Sequence, residues 1–282
     1  MLINQLKTFV LLAILSGIIL TIGGFLGGKA GLTIALILAL AINFFSYFYS
    51  DKMVLMVYRA KPLEKSKAPE IHKIVENISK KAGIPKPKIY LVPSETPNAF
   101  ATGRNPKNAV VAVTQGILKL LNKKELEGVL AHEIGHVKNR DILISTIAAT
   151  MATVIMYTAS MARFAAIFGG MRDDNGNSNI LQILVLAIVA PIAAMLIQFA
   201  ISRSREFMAD ETSARLTKEP KNLANALLKL QEYSKRIPLR FGNQSTAHLF
   251  IVNPFTGRQM MNIFSTHPST EQRVERLNSL KV

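Results

Sequence analysis

Long apolar stretches alternate with charged ones along this chain. Phe9 to Leu26 is apolar apart from Ser16, Thr21 and glycines, Gly27-Gly28-Lys29 breaks the run, and Leu32 to Tyr49 follows. Ile142 to Ile167 is a third apolar stretch, interrupted near its far end by Arg163, and Ile180 to Ile201 is a fourth, with Pro191 inside it. Each approaches or exceeds the ~20 residues that cross a ~30 Å hydrocarbon core, so the pattern predicts four membrane-spanning helices in two hairpins, 9–26 with 32–49 and 142–167 with 180–201. Pro191 is expected to kink its helix. A buried helical hairpin in a soluble core is the competing reading of the second pair, and its length favours spanning. A cleaved signal peptide fits the first stretch poorly: it is too long, the residues before it are barely basic, and a second stretch follows at once. Tyr47 and Tyr49 suit an aromatic belt at the inner end.

The charged stretches carry helix and strand periods. Ile71, Ile74, Val75 and Ile78 recur at three-to-four spacing and predict an amphipathic helix over 68–82. Lys88 to Pro93 and Val110 to Thr114 read as short strands, the second alternating and β-branched. Asn122 is a candidate N-cap with Glu125 three residues on, opening a helix from Lys123 to about Asn139 whose apolar face is Leu126, Val129, Leu130 and Val137. Another capped helix is expected after Ser269, with Gln272 three residues on. Residues 51–141 and 202–282 thus form two halves of one α+β domain, separated by the second apolar hairpin (142–201), with residues 1–50 forming the first.

Composition agrees with membrane segments: 49% of the 282 residues are hydrophobic, and the mean hydropathy is +0.26. The net charge is +16. All but four of the 34 Lys and Arg lie in 51–141 and 202–282, the exceptions being Lys7, Lys29, Arg163 and Arg172. By the positive-inside rule this places both termini and both halves of the charged domain on the cytoplasmic side. No basic-aromatic stripe or nucleic-acid motif accompanies the charge, so a nucleic-acid partner is not expected. With no Cys, any zinc site must use His and carboxylates.

The candidate chemistry sits in the helix at 123–139, as Ala131-His132-Glu133-Ile134-Gly135-His136. Residues four apart share a helix face, so His132 and His136 can hold one ion while Glu133 points beside it. Two imidazoles with an adjacent carboxylate are what a zinc peptidase needs, because zinc lowers a water's pKa from about 15.7 towards roughly 7 and the carboxylate can then take its proton. A third protein ligand is expected. Glu206 and Asp210, four apart after the fourth apolar stretch, offer one ligand and one acceptor for the outer N–H of a ligand imidazole. An exposed acidic pair among arginines is the alternative for these two. His72 reads as a helix-surface residue and His248 as part of a loop.

Several segments together resemble a known family. His132-Glu133-Ile134-Gly135-His136 with Arg140-Asp141, Ser202-Arg203 with Glu206 to Asp210, Pro97 to Ala101, and Phe264-Ser265-Thr266-His267-Pro268 are similar to the HtpX family of membrane-integrated heat-shock zinc proteases, relatives of the CAAX prenyl protease. The order of two spans, a domain half, two spans and a domain half is similar too. The resemblance implies His132, His136 and Glu206 as zinc ligands and Glu133 as general base. It also implies endoproteolysis of misfolded or damaged membrane proteins, hence polypeptide substrates and a lipid bilayer as partners. Asn98, Ala99, Phe100 and Ala101 resemble an edge strand to which an extended peptide could add. His267, with Arg273, is the candidate donor to the oxyanion of a tetrahedral intermediate.

The expected whole is a mainly α-helical membrane protein with four transmembrane helices and a cytoplasmic α+β zincin domain built from two segments. A non-catalytic membrane scaffold with a structural metal is the rival; structural zinc sites are usually closed by four protein ligands, and only three good candidates are present. A transporter using Arg163 is a second rival, weakened because Arg163 can snorkel from the end of its span. Residues 238–263 could form a lid. If the helix carrying His136 continues into the third span, the metal lies one or two helical turns beyond the spans.

Overall fold

The computed structural model describes residues 2–147, 203–236, 251 and 268–280. Most of the third apolar stretch, all of the fourth, His248, His267 and the loop at 238–263 apart from Ile251 lie outside the described residues.

Helix α1 spans Leu2–Val57, but it is not straight. Gly28 takes φ +54°, a left-handed backbone that costs glycine little, and the chain folds back there. A Cβ added at Gly23 would fall on the Ala35 methyl and the Gly31 carbonyl, and Asn43 Nδ2 donates to Ser16 Oγ at 2.8 Å. The two arms therefore pack antiparallel, closely enough that only glycine fits at Gly23 and Gly31. Gly28–Tyr49 is long and apolar enough to cross a membrane, whereas the first arm contributes a shorter apolar helix, Leu12–Thr21. Glycine, Ser16 and Thr21 dilute its hydropathy.

The charged halves build a four-stranded sheet with helices packed on it. The strands are β1 (Lys61–Pro62), β2 (Lys88–Val92), β3 (Ala99–Gly103) and β4 (Ala109–Thr114), in the order β1-β2-β4-β3. β2 and β4 run parallel, and β3 returns antiparallel to β4 with Ala101 opposite Val111. β4 is buried along its whole length, as its continuous apolar run requires of a central strand. β3 is an edge: among the described residues nothing pairs with its other side.

One face of the sheet, through Ile89, Ala99, Ala101, Val111 and Val113, joins the main core with α2 (Pro69–Ala82), α3 (Gln115–Leu120) and α4 (Lys123–Lys138). The other face, through Val92, Phe100, Val110 and Ala112, packs on Val54 and Leu55 at the end of α1. Helices α5 (Arg203–Thr217), α6 (Pro220–Arg236) and α7 (Thr270–Ser279) complete the domain. α7 opens on the expected Ser269/Gln272 capping box. His72 is half-buried, its Nε2 lying 2.7 Å from the Leu63 carbonyl, so it ties α2 to the preceding loop.

Helix α4 starts at a full capping box: Asn122 Oδ1 accepts from Glu125 N–H and Glu125 accepts from Asn122 N–H. Its end agrees with the expected one near Asn139, and the condition that it continue into the third apolar stretch is not met. It ends at Lys138, Arg140 takes φ +59°, and a new helical segment begins at Ile142. Asp141 N–H still donates to the His136 carbonyl at 3.0 Å, so the break is a tight turn that re-aims the chain.

Glycines on α4 set how closely its neighbours approach. A Cβ at Gly128 would lie 2.8 Å from the Leu223 backbone nitrogen on α6, and one at Gly135 would lie 3.3 Å from Ala209 on α5. Gly128→Val is accordingly expected to lose about 1–3 kcal/mol of stability through overpacking, read as a lowered urea midpoint with an unchanged slope.

Candidate metal centre and active site

On helix α4 His132 is buried and His136 half-buried, and α5 crosses the helix over Gly135. On α5 the residues Glu206, Ala209, Asp210, Ser213 and Ala214 are buried, the three-to-four spacing of one helix face. Ser213 Oγ donates to the Gly128 carbonyl at 2.8 Å, locking the register of the two helices. That register brings Glu206 to the histidines.

The three side chains form a triangle. The Nε2 atoms of His132 and His136 are 3.1 Å apart. Glu206 Oε2 lies 3.7 Å from His132 Nε2, and Oε1 lies 3.5 Å from His136 Nε2. A tetrahedral ion with bonds of roughly 2.0–2.1 Å has ligand–ligand edges of about 3.3 Å. All three separations bracket that value, and among the described residues these three form the group of potential ligands close enough to share an ion.

The outer atoms of the imidazoles are held. His132 Nδ1–H donates to Asp210 Oδ1 at 2.9 Å, and His136 Nδ1 lies 3.4 Å from Asp141 Oδ2. Both contacts turn Nε2 toward the triangle and leave its lone pair for a metal. Burial pushes the His132 pKa down against the pull of Asp210, which keeps the ring neutral as a ligand must be. For His136 burial also opposes the charge, but the hydrogen bond to Asp141 and the Glu206 and Glu133 carboxylates outweigh it, and its pKa rises to about 9. A proton there takes the part a metal cation would otherwise play among these carboxylates.

Charge counting points the same way. Glu133, Glu206, Asp210 and Asp141 are all buried, and among the described residues the buried cations facing them are Arg205 and Arg273. With both histidines neutral, two negative charges remain. Buried charge is costly, and a divalent cation would complement this cluster.

Glu133 lies on the other side of the ligand pair. Its Oε2 accepts from Ala101 N–H of β3 at 2.8 Å, so the carboxylate bridges the active helix and the edge strand. Burial raises its pKa to about 7, the Glu206 carboxylate adding to the effect while the charge of His136 opposes it.

Of the residues expected to bind substrate, Ala99, Phe100 and Ala101 lie on β3 and Asn98 immediately precedes it, and all four are buried. Thr114 N–H donates to the Asn98 carbonyl at 2.9 Å. In an antiparallel ladder this sets the phase, so Ala99, Ala101 and Gly103 turn their backbone groups to the open edge. The Asn98 side chain faces elsewhere: its Oδ1 accepts from Ile251 N–H at 3.2 Å. The Phe100 ring packs on Tyr58, centroids 5.2 Å apart.

Arg273 has a different setting from the oxyanion donor expected of it. Its Nε and Nη2 form a fork on Asp210 at 2.9 and 2.7 Å, and Nη1 donates to the Ile251 carbonyl at 2.8 Å. It is 1% exposed. It therefore stands behind Asp210, which holds His132, and within 3.6 Å of Glu206. Removing one member of a buried pair leaves the other uncompensated, so Arg273→Met is expected to cost about 3–5 kcal/mol. A double-mutant cycle with Asp210→Asn, read by chemical denaturation, should return much of that as coupling energy.

Comparison with known proteins agrees with this geometry. The description "Peptidase family M48" matches residues 65–281. The chain belongs to peptidase family M48. It is 54% identical over 280 residues to a protein named Protease HtpX homolog from Desulfatibacillum aliphaticivorans, covering 99% of this chain and 90% of that one. It is 52% identical over 274 residues to the Protease HtpX homolog of Pyrococcus furiosus, covering 97% and 95%. Among solved structures it resembles S. mikatae Ste24p, with a TM-score of 0.53 and 17% identity, over 98% of this chain and 66% of that one; this likeness speaks for the fold. As an M48 member the chain is a membrane metalloprotease, and nothing favours the non-catalytic scaffold.

Two features of this M48 site were given no role from the sequence. Asp141 reaches His136 because Arg140 adopts a left-handed turn, and Arg205 Nε lies 3.7 Å from Asp141. Ile251 joins Asn98 on the edge strand to Arg273 through its backbone alone. A carboxylate five residues after the second histidine was the one available hint.

Proposed function

We propose that this chain is a zinc-dependent endopeptidase with four transmembrane helices and a cytoplasmic catalytic domain, and that its substrates are misfolded or damaged membrane proteins. The observation that carries the reading is the triangle of His132, His136 and Glu206 with Glu133 beside it on the edge strand. Two imidazole nitrogens, one carboxylate and no thiolate suit zinc, and three protein ligands leave a coordination position open. The domain is assembled from 51–141 and 202–282, and residues 1–50 and 142–201 supply the two membrane hairpins. The relatives' printed names, Protease HtpX homolog, support the protease reading.

A bound zinc would acidify water and polarise the peptide carbonyl. The chain's own groups do the rest. The outward N–H and carbonyl of Ala99 and the outward carbonyl of Ala101 hold an extended peptide by main-chain hydrogen bonds, so side-chain preference is loose. Glu133 takes a proton from the attacking water and delivers it to the leaving nitrogen as the C–N bond breaks. Asp210 and Asp141 fix the two imidazoles, and Arg273 fixes Asp210.

The test is zinc content measured beside casein cleavage in detergent. Chelation should remove cleavage and about one equivalent of zinc should restore it. Cleavage that survives full removal of metal overturns the reading.

A further inference from the structure

The edge strand is not equally placed at its two ends. Its C-terminal end is planted at the level of the apolar hairpin. The Arg104 guanidinium lies 5.5 Å from the centroid of the Phe48 ring, and Phe48 belongs to the membrane-competent stretch Gly28–Tyr49. Phe48 is exposed and surrounded by exposed Phe44, Phe45, Tyr47 and Tyr49, an aromatic cluster of the kind found where a helix leaves the hydrocarbon.

A second contact marks the same end. Thr102 Oγ1 lies 2.9 Å from Thr146 Oγ1, and Gly103 N–H reaches the same hydroxyl at 3.4 Å. Thr146 neighbours Ile147, which packs on Leu12, Ile19 and Ile42 inside the α1 hairpin. The Gly103 end of β3 is therefore held by two apolar segments at once. At the other end the Asn98 side chain accepts from the Ile251 backbone, and among the described residues no contact with the apolar segments is seen there.

The reacting centre lies between them. Glu133 meets β3 at Ala101, and Ala101 to Arg104 is three residues, about 10 Å of extended chain. Glu133 occupies the outward N–H of Ala101 and Thr146 that of Gly103, so a peptide pairs with the edge through Ala99 and the Ala101 carbonyl and must leave it there.

Direction follows from the way a peptide adds. Antiparallel pairing gives straighter and slightly stronger hydrogen bonds than parallel pairing, and β3 itself pairs antiparallel to β4. A substrate antiparallel to β3 has its N-terminal side toward Gly103, which is the membrane end, and its C-terminal side toward Asn98. We propose that the cleft reads the polarity of an anchored substrate: it cuts chains whose membrane anchor lies N-terminal to the scissile bond, close to that anchor. An anchor on the C-terminal side obliges the chain to run past the site and double back. This inference rests on the peptidase reading given above.

The test uses full-length protein in vesicles of phosphatidylcholine with phosphatidylglycerol. One reporter sequence is attached to a single apolar helix at its N-terminal or its C-terminal end, with spacers of about 5, 10, 20 and 40 residues, which extend to roughly 17–130 Å. The unanchored reporter is assayed in parallel. At the shortest spacer the N-terminally anchored reporter should be cut at least about tenfold faster, a difference of ~1.4 kcal/mol in the barrier. The two rates should converge at the longest spacer, where the chain can double back. Equal rates at every spacer, or a preference for the C-terminal anchor, overturn the proposal while cleavage of the free reporter leaves the peptidase reading standing. No cleavage of the free reporter overturns both.

Discussion

Glu133→Gln should abolish cleavage and leave the metal in place. General acid–base catalysis by one positioned group contributes about 10²–10⁴-fold, and that is the expected fall in kcat. The amide oxygen of Gln can still accept from Ala101 N–H, so the bridge to β3 survives. None of the three candidate ligands is touched. Burial already holds the Glu133 carboxyl at about 7, which means its charge is disfavoured where it sits. The neutral amide removes that penalty, so the variant should be at least as stable as wild type in thermal denaturation. Loss of activity without loss of metal or stability is the signature of a base, and a variant retaining wild-type kcat contradicts the role.

Glu206→Ala should do the opposite to the metal. Outer-sphere partners of metal ligands are typically worth about 10–100-fold in affinity, so losing a ligand itself should weaken zinc by at least about 100-fold. The histidines remain oriented, since Asp210 and Asp141 are unaffected. Arg273 keeps its fork on Asp210, so the fold around the site should hold. A competitive chelator titration reads the affinity directly. Glu206→Ala that binds zinc as tightly as wild type would mean another group fills that corner.

The features that sequence revealed are those set by local chemistry. Asn122 and Glu125 announce the start of α4, and the two histidines at four-residue spacing follow from its pitch. β4 shows itself through Val110, Val111 and Val113, and the reversal at Gly28 through a glycine pair between apolar runs. What escaped depends on chain segments distant from one another. Glu206 is 70 residues from His136, and on its own face it looks like one more surface acid; the resemblance to a known family, not spacing, singled it out. The end of α4 was legible to within a residue, but no glycine marks the left-handed turn at Arg140, so the return of Asp141 to His136 was not. Arg273 was picked as a donor to the reaction, but its place behind Asp210 becomes visible only when α5 and α7 pack together.

The central claim is that His132, His136 and Glu206 meet on one ion with a vacant position for water. Anomalous diffraction from zinc-loaded crystals, collected on either side of the zinc edge, tests it most directly. The account expects one strong peak at about 2.0–2.2 Å from His132 Nε2, His136 Nε2 and a Glu206 oxygen, with solvent as the fourth neighbour. A peak elsewhere, or a fourth protein ligand closing the site, contradicts it.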